Sequence, residues 1–161
     1  MKELADYFSS LASAHKSVRH GIDGTHFAST LEEADNSYAR VMRYPCVVYD
    51  EGDSFVSGTR LQTSVTVLFL QHVTDTANEP EKAEAFELSR KIALDFIAQI
   101  HEMGDVPRAQ YRFLANIDFD GATLLRIMLE DAALYGYALS FRYMEPLPDL
   151  CDSPFEFTNN D

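Results

Sequence analysis

Bases are scarce in this sequence. Lys and Arg number 13 against 26 Asp and Glu, a net charge of −13. Tight binding to a nucleic-acid backbone needs cations that displace condensed counterions, so this composition makes the chain a poor candidate for gripping DNA or RNA. An acidic wall still suits a passage along which DNA slides without sticking. Cysteine is nearly absent: Cys46 and Cys151 are the only two. They form no CxxC pair and no thiolate metal site, and are read as two free thiols. Tryptophan is missing, and the apolar runs are too short to cross a bilayer. The opening MKELADYF carries acid and Tyr where a secretory signal has a basic start and an apolar block, so the expected place of synthesis is the cytoplasm.

What is present is the balance of a folded domain, 46% hydrophobic and 24% charged over 161 residues. The stretch Arg60–Val73, RLQTSVTVLFLQHV, organises the rest. Leu61, Thr63, Val65, Val67 and Phe69 recur every second residue, the period of a strand, and from Val65 to Leu70 both faces are apolar. Such a strand lies inside a sheet with cover on each side of its C-terminal half.

Residues 1–20 carry Leu4, Tyr7, Phe8, Leu11, Ala12, His15 and Val18 at helical spacing, ended by Gly21. Residues 21–30 have no period and are read as a loop. Thr30 and Glu33 make a capping pattern for a short helix over 31–42. Tyr44-Pro45 leads into a short strand at Cys46–Tyr49, and Asp50, Glu51, Gly52 and Asp53 read as a turn or an exposed loop. The expected unit is an antiparallel hairpin with a wide connection into the central strand.

Pro80 among Glu79, Glu81 and Glu84 opens a helix whose apolar positions run from Phe86 to Met103, stopped by Gly104. Tyr111–Phe119 alternates as a strand, Asp120-Gly121 signals a hairpin turn, and Thr123–Leu129 reads as its partner strand. Another turn is expected at Leu134–Gly136 and a last strand at Tyr137–Met144. The fold class is therefore α+β: an antiparallel sheet of about four to five strands packed on two to three helices, one domain over 1–144. The last seventeen residues, 145–161, hold five acids and no Lys or Arg and form an extended acidic arm with Leu147, Leu150, Phe155 and Phe157 as apolar anchors.

Catalytic signatures are thin. His15, His20, His26, His72 and His101 are scattered, without HExxH or a metal-ligand pair. His72 and Asp75 lie close together at the exit of the central strand. Asp50, Glu51 and Asp53 lack the alternation and terminal Glu of a calcium loop. Cys46 sits on an apolar strand as packing, and Gly21-Ile22-Asp23-Gly24 is too short for a phosphate loop. No cofactor, metal or catalytic group is expected. A small hydrolase, with acids such as Asp50 or Asp53 brought together by the fold, is the minority reading.

The order of elements, with ARVMRYPCVVYDEG, TSVTVLFLQHV, EKAEAFELSRKIALDFIAQI and LYGYALSFRYM, resembles small phage tail-completion or tail-terminator (head-tail joining) proteins, including prophage-like proteins of Bacteroides-type bacteria. The likeness spans roughly Thr30 to Met144. It implies an α+β fold assembled as a ring, often hexameric, that joins the tail tube to the head connector while DNA passes through without specific binding. It carries no catalytic residues, and it places the protein in a virion or tail-like particle. The acidic arm and the segment Gly21–Ser29 depart from the pattern. On this reading Leu68, Leu70, Phe155 and Phe157 are the candidate subunit-interface residues. The alternatives are an acidic adaptor or inhibitor that occupies a basic partner, and a plain monomer whose aromatics fill a core and whose acids keep it soluble.

Overall fold

The computed structural model describes residues 2–18, 25–28, 42–106 and 109–147. Among these residues two α-helices, α1 (Lys2–Ala14) and α2 (Glu79–Gly104), and a 3-10 helix at Ala109–Asn116 pack on a five-stranded sheet of β1 (Thr25–Ala28), β2 (Met42–Ser57), β3 (Arg60–His72), β4 (Ile117–Leu129) and β5 (Leu134–Pro146). The strand order is β1-β2-β3-β5-β4. The α+β class read from the sequence is the class observed, with β3 at the centre.

Both helices lie on one face. Leu4, Phe8 and Ala12 of α1 and Ile92, Ala93, Phe96 and Ile100 of α2 meet Val47, Tyr49, Val65, Val67, Phe69, Leu139, Phe141 and Tyr143 of the sheet. Phe8 sits at the middle of an aromatic stack, 5.6 Å from Tyr49 and 6.1 Å from both Phe96 and Phe141 between ring centres. Burying side chains of this size contributes roughly 1.5–3 kcal/mol each before ordering entropy is subtracted. α2 starts where the sequence marks it: Asn78 accepts from the Glu81 N–H at 3.2 Å, and Pro80 occupies the first turn.

Several expectations are corrected. The sheet is mixed, because β1 pairs parallel with β2. β1 lies in the stretch read as a loop, and four residues are too few to show a period. α1 stops at Ala14 rather than at His20. Ser10 and Ser13 turn their hydroxyls back onto the carbonyls of Tyr7 and Ser9, which weakens the last turn. The acids Asp50–Asp53 make no turn. β2 runs through them with a register shift between Glu51 and Ser54, and the chain reverses at Gly58-Thr59, where Gly58 has φ +61°. The hairpin is antiparallel as expected, but its connection is two residues.

Residues 109–116 form a 3-10 helix, so the expected strand over Tyr111–Phe119 begins only at Ile117. Leu114, which strand alternation would put with Arg112 and Asn116 on the polar face, is buried, and Ala115 is exposed. In a 3-10 helix positions i and i+3 eclipse, which puts Tyr111 and Leu114 on one side. Asp120-Gly121 is no hairpin turn either. β4 bulges there, its pairing with β5 jumping from Asp118 opposite Arg142 to Thr123 opposite Ser140. Arg142 holds the bulge, with an ion pair to Asp118 at 2.7 Å and a hydrogen bond to the Asp120 carbonyl at 2.9 Å. The reversal falls at Glu130–Ala133, with Ala133 left-handed at φ 52°, so Leu134–Gly136 is already strand.

β5 continues to Pro146, and the Leu147 N–H bonds the Thr59 carbonyl at 2.9 Å, so the segment from Glu145 starts as strand. The helix expected over 31–42 lies outside the described residues, apart from Met42 in β2, as does the arm beyond Leu147.

Candidate interaction surface

The register of the ladders decides which side chains face away from the helices. Leu68 pairs with Val48 and Ala138, Leu70 with Cys46 and Gly136, and Ala138 and Gly136 with Leu125 and Ile127. On this second face Ala28, Cys46, Val48, Leu70 and Leu134 are buried together, with Leu68 and Ile127 packed against them. No described helical residue joins that cluster. β3 is thus apolar front and back over 67–70, a shorter stretch than the 65–70 read from the sequence, because Thr66 stands on the outer face.

Leu70 is fully buried inside its own chain and offers a partner nothing, which removes it from the interface candidates. Leu68 is half-buried in the same cluster. Phe155, Phe157 and Cys151 lie outside the described residues. The apolar groups that do reach solvent carry no local mark in the sequence. Leu125, Met128 and Leu129 on β4 are 58%, 55% and 41% exposed, and Phe55 and Val56 near the hairpin turn are 51% and 63% exposed. An edge position is a property of strand order, so no local pattern announces it.

Beside the apolar cluster the second face turns polar. Ser64, Thr66, Thr123, Ser140 and Arg142 line an open cavity of about 350 Å³ against the β4 bulge. The Thr66 and Ser140 hydroxyls are 3.2 Å apart. Arg142 is directed at Asp118 and Asp120 and closes the bulge rather than the cavity.

The groups with chemical potential are held in structural roles. In a cleft of about 460 Å³ between the end of α1 and α2, lined in part by Lys16, Lys91 and Phe96, His15 meets Asp95 at 3.1 Å. The His15 Nδ1 accepts the Ser17 backbone N–H at 3.2 Å, which leaves the ring proton on Nε2 for Asp95. Both ring nitrogens are engaged, so the neutral imidazole has no lone pair for a substrate proton, and the pair ties α1 to α2. His72 and Asp75 do not form a site. His72 lies against the Tyr44 ring, while Asp75 accepts the Ala77 N–H at 2.9 Å.

Glu81, not singled out from the sequence, is the carboxylate at that strand exit. It accepts the Thr74 N–H at 2.7 Å, the Thr74 hydroxyl at 2.6 Å and the Asp75 N–H at 3.2 Å. Those bonds from Thr74, then Asp75, hold its carboxyl below the usual range. The Asn-x-x-Glu spacing from Asn78 was the available signal, although Glu81 reaches the strand exit instead of the cap.

Glu51 accepts the Tyr49 hydroxyl at 3.0 Å. Cys46 is a buried free thiol that burial pushes up to about 12, the environment of packing rather than of a nucleophile. His101 lies over Phe119, 5.0 Å between ring centres, and the side chains of His20 and His26 lie outside the described residues. Among the described residues no group of three or more His, Cys, Asp or Glu side chains is arranged to hold a metal ion. None of the described helices is long and apolar enough to cross a membrane. The chain matches no protein-family model and no curated protein sequence.

Proposed function

We propose that this chain is a structural, non-enzymatic component of a phage or prophage tail, a tail terminator or neck protein that self-associates into a ring between tail tube and head connector. The observation that carries the reading is the far half of the β2–β3 hairpin. Residues 51–60 are all exposed, and Phe55 and Val56 stand there with more than half of their surface in water. Held out on a paired strand end, Phe55 on one face of the hairpin and Val56 on the other offer apolar surface for a neighbour to cover. The acidic excess favours a lumen through which DNA moves without binding.

The test is electron microscopy of the full chain, alone and mixed with tail-tube protein. Rings, or caps on tube ends, that disappear in a Phe55→Asp/Val56→Asp variant support the assignment. Fields without rings or caps at high concentration remove it.

A second reading, an acidic adaptor on a basic partner, is favoured by the convergence of Glu51 and Glu145 on Tyr49 and of Glu145 and Glu3 on Tyr143. It predicts a complex with a basic protein that salt dissolves and Glu51→Gln/Glu145→Gln weakens.

A further inference from the structure

The sheet has two outer strands, and they are defended differently. At one side, β1 covers β2 only along its first part, pairing as far as Val48. The part of β2 beyond carries Asp50, Glu51 and Asp53 and a register shift, the charges and irregularity that keep an outer strand from pairing with another chain. At the other side, β4 is last in the strand order and, among the described residues, pairs only with β5. Its second half, Thr123–Leu129, is regular and holds no Pro, Gly or acid. Leu125, Met128 and Leu129 are exposed there. Its one charge, Arg126, is folded back over the Phe86 ring, 3.5 Å from guanidinium carbon to ring centre. A row of backbone donors and acceptors flanked by exposed apolar side chains, with its cation drawn aside, fits a strand.

We propose that the β4 edge, Thr123–Leu129, pairs antiparallel with the same edge of a second copy and joins two sheets into one. Self-complementarity identifies the occupant. With Ile127 on the two-fold axis, Leu125 and Leu129 of one copy face Leu129 and Leu125 of the other, and Ile127 faces itself, so the three central pairs on one face of the junction are apolar. Arg126 then stands opposite Met128 in both directions. Glu130 and Asp131 fall opposite Leu124 and Thr123, so no like charges meet. A slip of two residues, which moves the axis onto Arg126, would set Arg126 against Arg126 and is disfavoured.

The far edge of another copy is a poorer occupant. Through the ladders Leu125 lies level with Ala138, Leu68 and Val48, so the apolar half of β4 would meet the part of the far edge that β1 already covers. The contact is closed by its symmetry. It uses a surface other than the hairpin end on which the ring reading stands, and it does not rest on that reading.

The experiment uses the full chain carrying Cys151→Ser. Sedimentation or light scattering over a concentration series is compared with a Leu125→Lys/Met128→Lys variant, whose changes fall on exposed side chains and whose folding is checked by circular dichroism. The expected result is a concentration-dependent dimer that the variant weakens at least about tenfold. Mild oxidation should link Ile127→Cys into a covalent dimer at least about tenfold faster than Thr123→Cys, since only residue 127 meets its own copy across the axis.

A chain that stays monomeric at high concentration overturns the proposal. So does a dimer that the two lysines leave intact, or one in which both cysteines link equally. Rings that persist in the lysine variant after the dimer is lost leave both proposals standing.

Discussion

At the scale of single residues, the tightest constraint is at Gly136. It sits opposite Leu70 on β5, and a Cβ there would overlap the Phe69 carbonyl oxygen and crowd the Leu70 backbone. The obstacle is backbone in the central strand, which no rotamer change relieves. Gly136→Ala is expected to cost about 3 kcal/mol or more, read from denaturant unfolding. A midpoint unchanged from the parent would mean that β3 and β5 do not approach as described.

Protonation gives a second residue-scale outcome. Burial raises the phenols of Tyr49, Tyr143 and Tyr7 above their ordinary 10.0, with Glu51 adding to the effect at Tyr49, and raises the Cys46 thiol from 9.0 to about 12. All four groups are raised in the folded state, so the unfolded chain gives up these protons first as pH rises. Their contribution is complete below about pH 9 and is lost progressively above it. A melting temperature that holds from pH 7 to 8.5 and falls steadily beyond 9.5 is expected. A flat profile to pH 11 contradicts this burial.

At the scale of elements, α2 depends on its first turn. The Asn78 side chain accepts the Glu81 N–H, and Asn78→Ala is expected to cost about 1 kcal/mol in unfolding free energy, with most of the loss of amide protection confined to the first turns of α2. The Pro80 start of α2 with its first-turn acids, its stop at Gly104 and the alternation of β3 were all legible because each is written in neighbouring residues. The elements that misled share another property. Asp50–Asp53 and Asp120-Gly121 carry turn chemistry, yet both became irregularities within strands, because Arg142 and the neighbouring ladders hold the chain extended there. Tyr111–Phe119 alternates like a strand, but its first residues found no strand to pair with and tightened into a 3-10 helix against α2.

At the scale of the whole molecule, charge opposes assembly. Each copy carries −13, so association through apolar edges works against long-range repulsion. Raising salt from 0.05 to about 0.5 M shortens the screening length from over 10 Å to a few Å. Self-association is therefore expected to strengthen with salt in sedimentation velocity, whereas a complex with a basic partner is expected to weaken. One titration thus separates the assembly reading from the adaptor reading.

The sequence by itself determined the α+β class, the central strand with two apolar faces, α2 with its Pro80 start, and the acidic excess that argues against gripping nucleic acid. Each follows from the identity of adjacent residues or from their sum. Only the tertiary structure decided that β1 adds a parallel strand, that Leu70 belongs to the core, and that Leu125, Met128 and Leu129 are exposed on the strand that is outermost among the described residues. The physical reason is strand order: whether an apolar side chain is core or contact surface depends on which strand the chain places beside it, and that neighbour is far away in sequence.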